Sequence, residues 1–241
     1  MIARLLPLLA SLGALAAPLP AAAQALQCVV PQRLPAWHAE GPTAREPRRQ
    51  LRTASYTLAV SWSPGYCRTN AKRPNASFQC GGGNRFGFVL HGLWPDGAGK
   101  EWPQYCRAAP VLPAATVRRN LCVTPSAQLI QHEWAKHGTC MSRDADAYFN
   151  RSRALFQGLR FPDMAALSRR PRLSAGQLAT EVARLNRGMT ARSMRVTADR
   201  QGWLEELWIC LDLNFRPTTC PAHQGGLAPG AAIKVWRGGR R

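Results

Sequence analysis

Gln131-His132-Glu133-Trp134-Ala135-Lys136-His137-Gly138-Thr139-Cys140 is the stretch from which the rest of the chain is best read. It places four ionisable side chains within six residues, and a cysteine follows three residues later. In an α-helix each residue turns about 100°, so His132, Lys136, Glu133 and His137 fall at about 0°, 40°, 100° and 140°. All four share one broad face, while Trp134 and Ala135 point elsewhere. Two imidazoles, a carboxylate and an ammonium on one face suit proton transfer beside an anion. They suit a core poorly, because buried charges are costly unless paired. A zinc helix of the His-Glu-x-x-His type needs its histidines at i and i+4. Here the second histidine is at i+5, so α-helical spacing predicts that the imidazoles do not converge on one ion, and no metal site is expected.

Working outward, Ser126 is placed to cap the helix that carries this stretch. Upstream, residues 97–125 hold Pro103, Pro110, Pro113 and Pro125 and read as irregular. Phe86 to Leu90 is short and apolar, a central strand that delivers His91-Gly92-Leu93-Trp94-Pro95-Asp96 at its end. Tyr56 to Trp62 alternates and is β-prone, so it reads as the first core strand, ended by Pro64-Gly65. Lys72 to Gly83 reads as a polar loop, with Gly81-Gly82-Gly83 as turn chemistry. Downstream, Asp146 to Leu159 reads as a helix. Ser174 and Gln177 form a capping-box pattern ahead of Leu178, Val182 and Leu185. Trp203 to Phe215 is a strand region, and Ile233 to Trp236 a last strand. Strands and helices mix without regular βαβ alternation, which implies an α+β fold.

A chain of 241 residues with 46% hydrophobic content is enough for one sizeable globular domain. Met1 to Ala23 has the three regions of a secretory signal: Arg4, an apolar run from Leu5 to Ala17, and small residues at Ala21-Ala22-Ala23 or Ala23-Gln24-Ala25 for cleavage. The apolar run is too short and too broken by Pro and Gly for a membrane span, so no transmembrane segment is expected. Residues 24–53 read as a basic Pro- and Arg-rich arm bearing Arg45, Arg48, Arg49 and Arg52, and 54–241 as the main domain. Eight cysteines imply four disulfides in an oxidising compartment, secreted or periplasmic. The count alone leaves about 105 pairings open. Lys plus Arg is 32 against 13 Asp plus Glu, a formal charge of +19, which points to an anionic partner such as nucleic acid or anionic lipid.

His91-Gly92-Leu93-Trp94-Pro95 together with His132-Glu133-Trp134-x-Lys136-His137-Gly138-Thr139-Cys140 resembles the two active-site segments of the ribonuclease T2 family. Ser-Trp-Ser-Pro-Gly-Tyr-Cys at 61–67 is also similar, and the resemblance runs from about residue 54 to 236. It implies an antiparallel sheet core flanked by helices and stapled by disulfides. It implies a base-nonspecific endoribonuclease that cleaves single-stranded RNA through a 2′,3′-cyclic phosphate. No small-molecule cofactor is expected, and the chain is expected to act as a monomer. By resemblance, His137 is the general base, His91 the general acid and His132 a phosphate holder. Glu133 and Lys136 stabilise the transition state. Trp94 lies under a base and Asp96 reads base edges, with Trp102 or Tyr105 as a second aromatic wall. Pro125, Ser126 and Gln131 resemble a second base site, and His38 and His223 are expected at the surface. The family's helix-motif cysteine pairs with one downstream of the first motif. Both Cys106 and Cys122 qualify, with Cys106–Cys140 favoured because Cys122 lies close to the helix in sequence. Cys210–Cys220 fits the family's late bridge, leaving Cys67–Cys80 and Cys28–Cys122. The rival from another class is a cationic binding protein for RNA or envelope surfaces on the same scaffold.

Overall fold

The computed structural model describes residues 25–238; the signal expected at 1–23 and the tail 239–241 lie outside the described residues. In chain order the elements are β1 Ala25–Gln27, β2 Ser55–Trp62, α1 Ser63–Asn70, α2 Ser77–Cys80, β3 Arg85–Phe86, β4 Phe88–Asp96, α3 Ala114–Asn120 and α4 Ala127–Glu133. A π-helical turn, Trp134–Gly138, follows, then α5 Thr139–Met141, α6 Ala145–Gly158, α7 Met164–Leu167, α8 Ala175–Leu185, β5 Met194–Ala198 and β6 Leu204–Leu211. Four strands form an antiparallel sheet in the order β4-β2-β6-β5, and β1 pairs separately with β3. The α+β architecture expected from the sequence is the one observed.

The sheet is two-faced because its strands alternate. Leu58, Val60 and Trp62 of β2 point into the core, where α6 contributes Tyr148, Phe149 and Phe156 and α8 contributes Leu178 and Val182. The opposite face carries Thr57 and Ser61 of β2 with Glu206 and Trp208 of β6. α6 is tied to β4 by the Tyr148 hydroxyl, which donates to the Leu93 carbonyl at 3.1 Å. α8 begins with the expected capping box: Gln177 N–H donates to Ser174 Oγ, and Ser174 N–H donates to Gln177 Oε1.

Several expectations need correction. The strand expected to stop at Leu90 does not deliver the second motif at its end; β4 runs through the motif to Asp96. Residues 97–125 are not wholly irregular, since α3 forms after Pro113, which is preset for a helix start. Pro64-Gly65 does end β2, but by starting α1, and part of the loop from Lys72 to Gly83 is helical. Ile233–Trp236 forms no strand; its backbone meets Leu204 N and Gly202 O through Lys234 alone. β5 went unrecognised.

The four disulfides are Cys28–Cys122, Cys67–Cys80, Cys106–Cys140 and Cys210–Cys220, the pairing expected. The arm holds no regular element between β1 and β2, but it is well fastened. Cys28–Cys122 anchors its start, Trp37 Nε1 donates to Leu112 O, and Arg49 and Gln104 bridge backbone to backbone.

Candidate active site

Two local irregularities build the site. In the β2–β4 ladder Ala59 pairs with Gly92 and Val60 with Leu90, so His91 is the extra residue of a register shift. Such a bulge inverts the alternation of a strand. Leu90 and Leu93 both reach the core, His91 and Gly92 both fall between them, and Trp94 and Asp96 land on the site face. With unbroken alternation Trp94 and Asp96 would share Leu90's face, inside the core.

The second irregularity corrects the metal argument. The helix that carries His132 and His137 changes to i→i+5 bonding over Trp134–Gly138, and residues five apart then stack on one side. His132 and His137 therefore converge: their ring centroids are 6.5 Å apart, and the ligand-type atoms of His132, Glu133 and His137 lie within 4.8 Å of one another. The widened turn has partners for its freed carbonyls: Tyr105 N–H donates to Lys136 O at 2.8 Å, and Thr139 Oγ1 donates to Ala135 O at 2.9 Å. Trp134 and Ala135 are buried.

His91, Trp94, Asp96, His132, Glu133, Lys136 and His137 all line one cavity of about 470 Å³, together with Thr57, Trp102, Trp208, His223 and Gln224. Glu133 is buried beneath it, accepting from Trp94 Nε1 at 2.9 Å, with Oε1 3.5 Å from His91 Nε2. Glu133 Oε1 and His137 Nδ1 are buried with no hydrogen-bond partner. The Trp94 ring lies against His137, centroids 5.5 Å apart.

The imidazoles are pushed in opposite directions. Burial lowers the His137 pKa well below the usual value, and the nearby Lys136, His132 and His91 lower it further. Burial would also lower His91, but its hydrogen bond to Glu206 and the Glu133 carboxylate raise it to about 9. Burial pushes the Glu133 carboxyl up against the pull of its cationic neighbours. Burial likewise raises Asp96 to about 6, opposed by hydrogen bonds from Thr57 and Ser55.

Three groups were missed by sequence reasoning. Glu206 Oε1 lies 2.6 Å from His91 Nδ1, and the arm places Glu40 Oε2 2.6 Å from His132 Nδ1 and Glu46 Oε1 2.6 Å from Lys136 Nζ. An arm marked by its arginines thus meets the site through its carboxylates, while Arg48 and Arg49 dock it on the carbonyls of Cys106 and Trp102. Strand alternation over Leu207, Ile209 and Leu211 was the available signal for Glu206; nothing local marked Glu40 or Glu46.

The residues expected to form a second base site are not brought into this cavity. Ser126 Oγ is engaged as the α4 cap, accepting from Leu129 N. Gln131 is fully buried, its amide bonded to Leu112 N and Pro110 O, and Pro125 is buried beside them. Tyr105 is buried too, its hydroxyl on Glu46, whereas Trp102 is exposed at the cavity rim under Arg49. His38 and His223 are exposed, the latter at the cavity edge.

Residues 53–220 match the sequence model of the Ribonuclease T2 family. A probable ribonuclease of Haemophilus influenzae is 32% identical over 176 residues, covering 68% of this chain and 60% of that protein. The match thus spans about three fifths of that relative's length. Among solved structures, an RNase-related protein from Calystegia sepium superposes with a TM-score of 0.60 at 22% identity, over 76% of this chain and 97% of that one. RNase NT in complex with 5′-AMP gives a TM-score of 0.56 at 20% identity, over 76% and 98%. These likenesses establish the fold.

Proposed function

The chain belongs to the ribonuclease T2 family, and on that premise we propose that it is an exported endoribonuclease cleaving single-stranded RNA by attack of the substrate's own 2′-hydroxyl. The observation that carries the reading is one cavity lined by two imidazoles from separate segments, with Lys136 and Glu133 beside them; burial pulls the His137 pKa down, while the His91 pKa is raised to about 9. Titratable groups whose surroundings drive their pKa values apart mark out base and acid.

In the first step His137 takes the 2′-hydroxyl proton as O2′ bonds to phosphorus. The P–O5′ bond breaks, and His91 gives its proton to the departing oxygen. The product is a 2′,3′-cyclic phosphate. In the second step water attacks with the roles exchanged, leaving a 3′-phosphate. The phosphorane gains negative charge, which the Lys136 ammonium faces and His132 helps to hold. Glu133, with Oε1 3.5 Å from His91 Nε2, stabilises the imidazolium that serves as acid and so supports the transition state. Trp94, with Trp208 and Trp102 lining the same cavity, offers stacking surface for a base, worth about 1–3 kcal/mol each in such sites. Asp96 reads base edges. The formal charge of +19 supports a polyanionic substrate, and four disulfides support a secreted or periplasmic location.

Product analysis on ribodinucleotides with and without EDTA tests this. The expected outcome is 2′,3′-cyclic phosphate, unaffected by chelator, with deoxydinucleotides left intact. Cleavage lost to EDTA and restored by zinc would overturn it in favour of an ion held by His132, Glu133 and His137.

A further inference from the structure

Glu206 is a half-buried carboxylate that the mechanism above does not use. It stands on β6, one strand beyond β2, on the face of the sheet that looks into the cavity. Its neighbour Glu205 points to solvent, so the pairing with His91 is set by strand phase and not by local acidity. Three donors converge on its two oxygens. His91 Nδ1 and Ser61 Oγ reach Oε1 at 2.6 and 2.5 Å, and Trp208 Nε1 reaches Oε2 at 2.8 Å. Ser61 lies directly across the ladder from Glu206, and Trp208 follows two residues along the same strand. The carboxylate is therefore pinned by two neutral donors before the imidazole is counted.

We propose that Glu206 is a positioning residue for His91: it fixes the ring with Nδ1–H bonded to β6 and Nε2 turned into the cavity, and it keeps the ring in the proton-carrying form. This deepens the reading of His91 as general acid and rests on it. The bulge explains why such a partner is needed. His91 is the one residue of β4 left without a ladder partner in its register, so its backbone alone does not lock the ring. A carboxylate on one imidazole nitrogen orients the ring and stabilises the imidazolium, leaving the other nitrogen to deliver a proton.

The other charged groups facing His91 come from the catalytic helix. Glu133 adds negative charge 3.5 Å from Nε2 and Lys136 adds positive charge, while His137, its pKa pushed down by burial, adds little. Lys136 disfavours the charged ring, so Glu206 and Glu133 together must outweigh it. Glu206 is itself held well below the usual carboxylate range; burial acts against this, but His91, Ser61 and Trp208 prevail, so it stays anionic wherever the acid is needed.

The test is Glu206→Gln, which keeps shape and an acceptor oxygen but removes the charge. Losing an opposite charge at this distance moves a histidine titration by about one to three pH units. Two readouts are required. The His91 ring titration, followed by NMR in the intact protein, should move acidward by that amount whether or not the protein cleaves RNA. The alkaline limb of kcat/KM on a ribodinucleotide should move with it, giving a loss at pH 8 of about twofold for a one-unit shift, tenfold for two and a hundredfold for three, with little change at pH 5.5. A variant whose ring titration and alkaline limb both match the wild type overturns the proposal. So does a uniform loss at every pH with an unmoved titration, which marks a merely structural role. Should the wild-type protein itself fail to cleave RNA, the function is wrong, yet the ring titration still decides the Glu206–His91 pairing.

Discussion

Gly92→Ala perturbs the point where the two motifs touch. A Cβ at residue 92 would sit 1.7 Å from Glu133 Oε2, 2.4 Å from its Cδ and 2.7 Å from Trp94 Nε1. Carbon and oxygen need more than 3 Å, so the carboxylate must withdraw by about 1.5 Å or β4 must back away. Neither movement is easy. Glu133 is 2% exposed and enters a π turn closed by Tyr105 and Thr139, while β4 is bonded to β2 on both sides of the bulge. Overpacking of this kind costs about 1–3 kcal/mol, and losing the Trp94 hydrogen bond to a buried charged acceptor adds about 1.5–3 kcal/mol. A total of about 3–5 kcal/mol lowers the melting temperature by roughly 10–15 °C in a chain of this size. Scanning calorimetry paired with ribodinucleotide cleavage checks it, with an expected rate loss of at least about a hundredfold as Glu133 leaves its place beside His91. Gly158→Ala is the control: nothing lies within 4 Å of its Cβ position, so stability should hold or rise slightly. If Gly92→Ala melts within 2 °C of the wild type and cleaves at the same rate, the inter-motif packing argument is wrong.

Two further predictions concern the segments around the site. Glu40 and Glu46 occupy His132 Nδ1 and Lys136 Nζ, the groups a phosphate would approach. The double variant Glu40→Gln/Glu46→Gln should therefore lower KM for short RNA by about three- to tenfold at low salt, the combined size of two partly exposed ion pairs; a raised KM in steady-state assays would show that the arm positions these cations instead of competing for them. Replacing Cys106 and Cys140 by Ala opens a bridge with a sequence separation of 34 and should remove about 4 kcal/mol of stability. It should also slow cleavage, because the neighbouring Tyr105 N–H that closes the π turn on Lys136 O loses its anchor; urea denaturation and single-turnover rates measure both.

Fold class, the helix-borne cluster and the disulfide pairing were legible because they rest on composition, residue type and motif resemblance. What was not legible has a common cause. Periodicity assumes an uninterrupted strand or helix, and His91 and Lys136 sit where that assumption fails. The wheel put His132 and His137 about 140° apart, which is right for an α-helix and wrong for one with a π turn between them. Glu206, Glu40 and Glu46 escaped for a different reason: their partners lie 115, 92 and 90 residues away, distances that no local pattern spans. Ser126 and Gln131 went the other way. Each has a polar side chain beside the motif, but the helix cap and the backbone of Pro110 and Leu112 claim those side chains first.

The two irregularities act together. A bulge in β4 turns His91 out of the ladder and moves Trp94 and Asp96 onto the site face; a π turn in the helix brings His137 round to His132. Gly92 allows the contact between them, because only a residue without a side chain lets the Glu133 carboxylate lie against the strand. Glu133 then bonds Trp94 while its free oxygen faces His91, so one buried carboxylate joins strand to helix. A burial that costly is tolerated because Trp94 and the surrounding cations oppose it. The same low-dielectric setting pulls the His137 pKa down, while the hydrogen bond to Glu206, reaching from the next strand but one, pulls the His91 pKa up against burial. The opposite pulls on the two imidazoles thus arise where the sheet and the helix break their own periodicity.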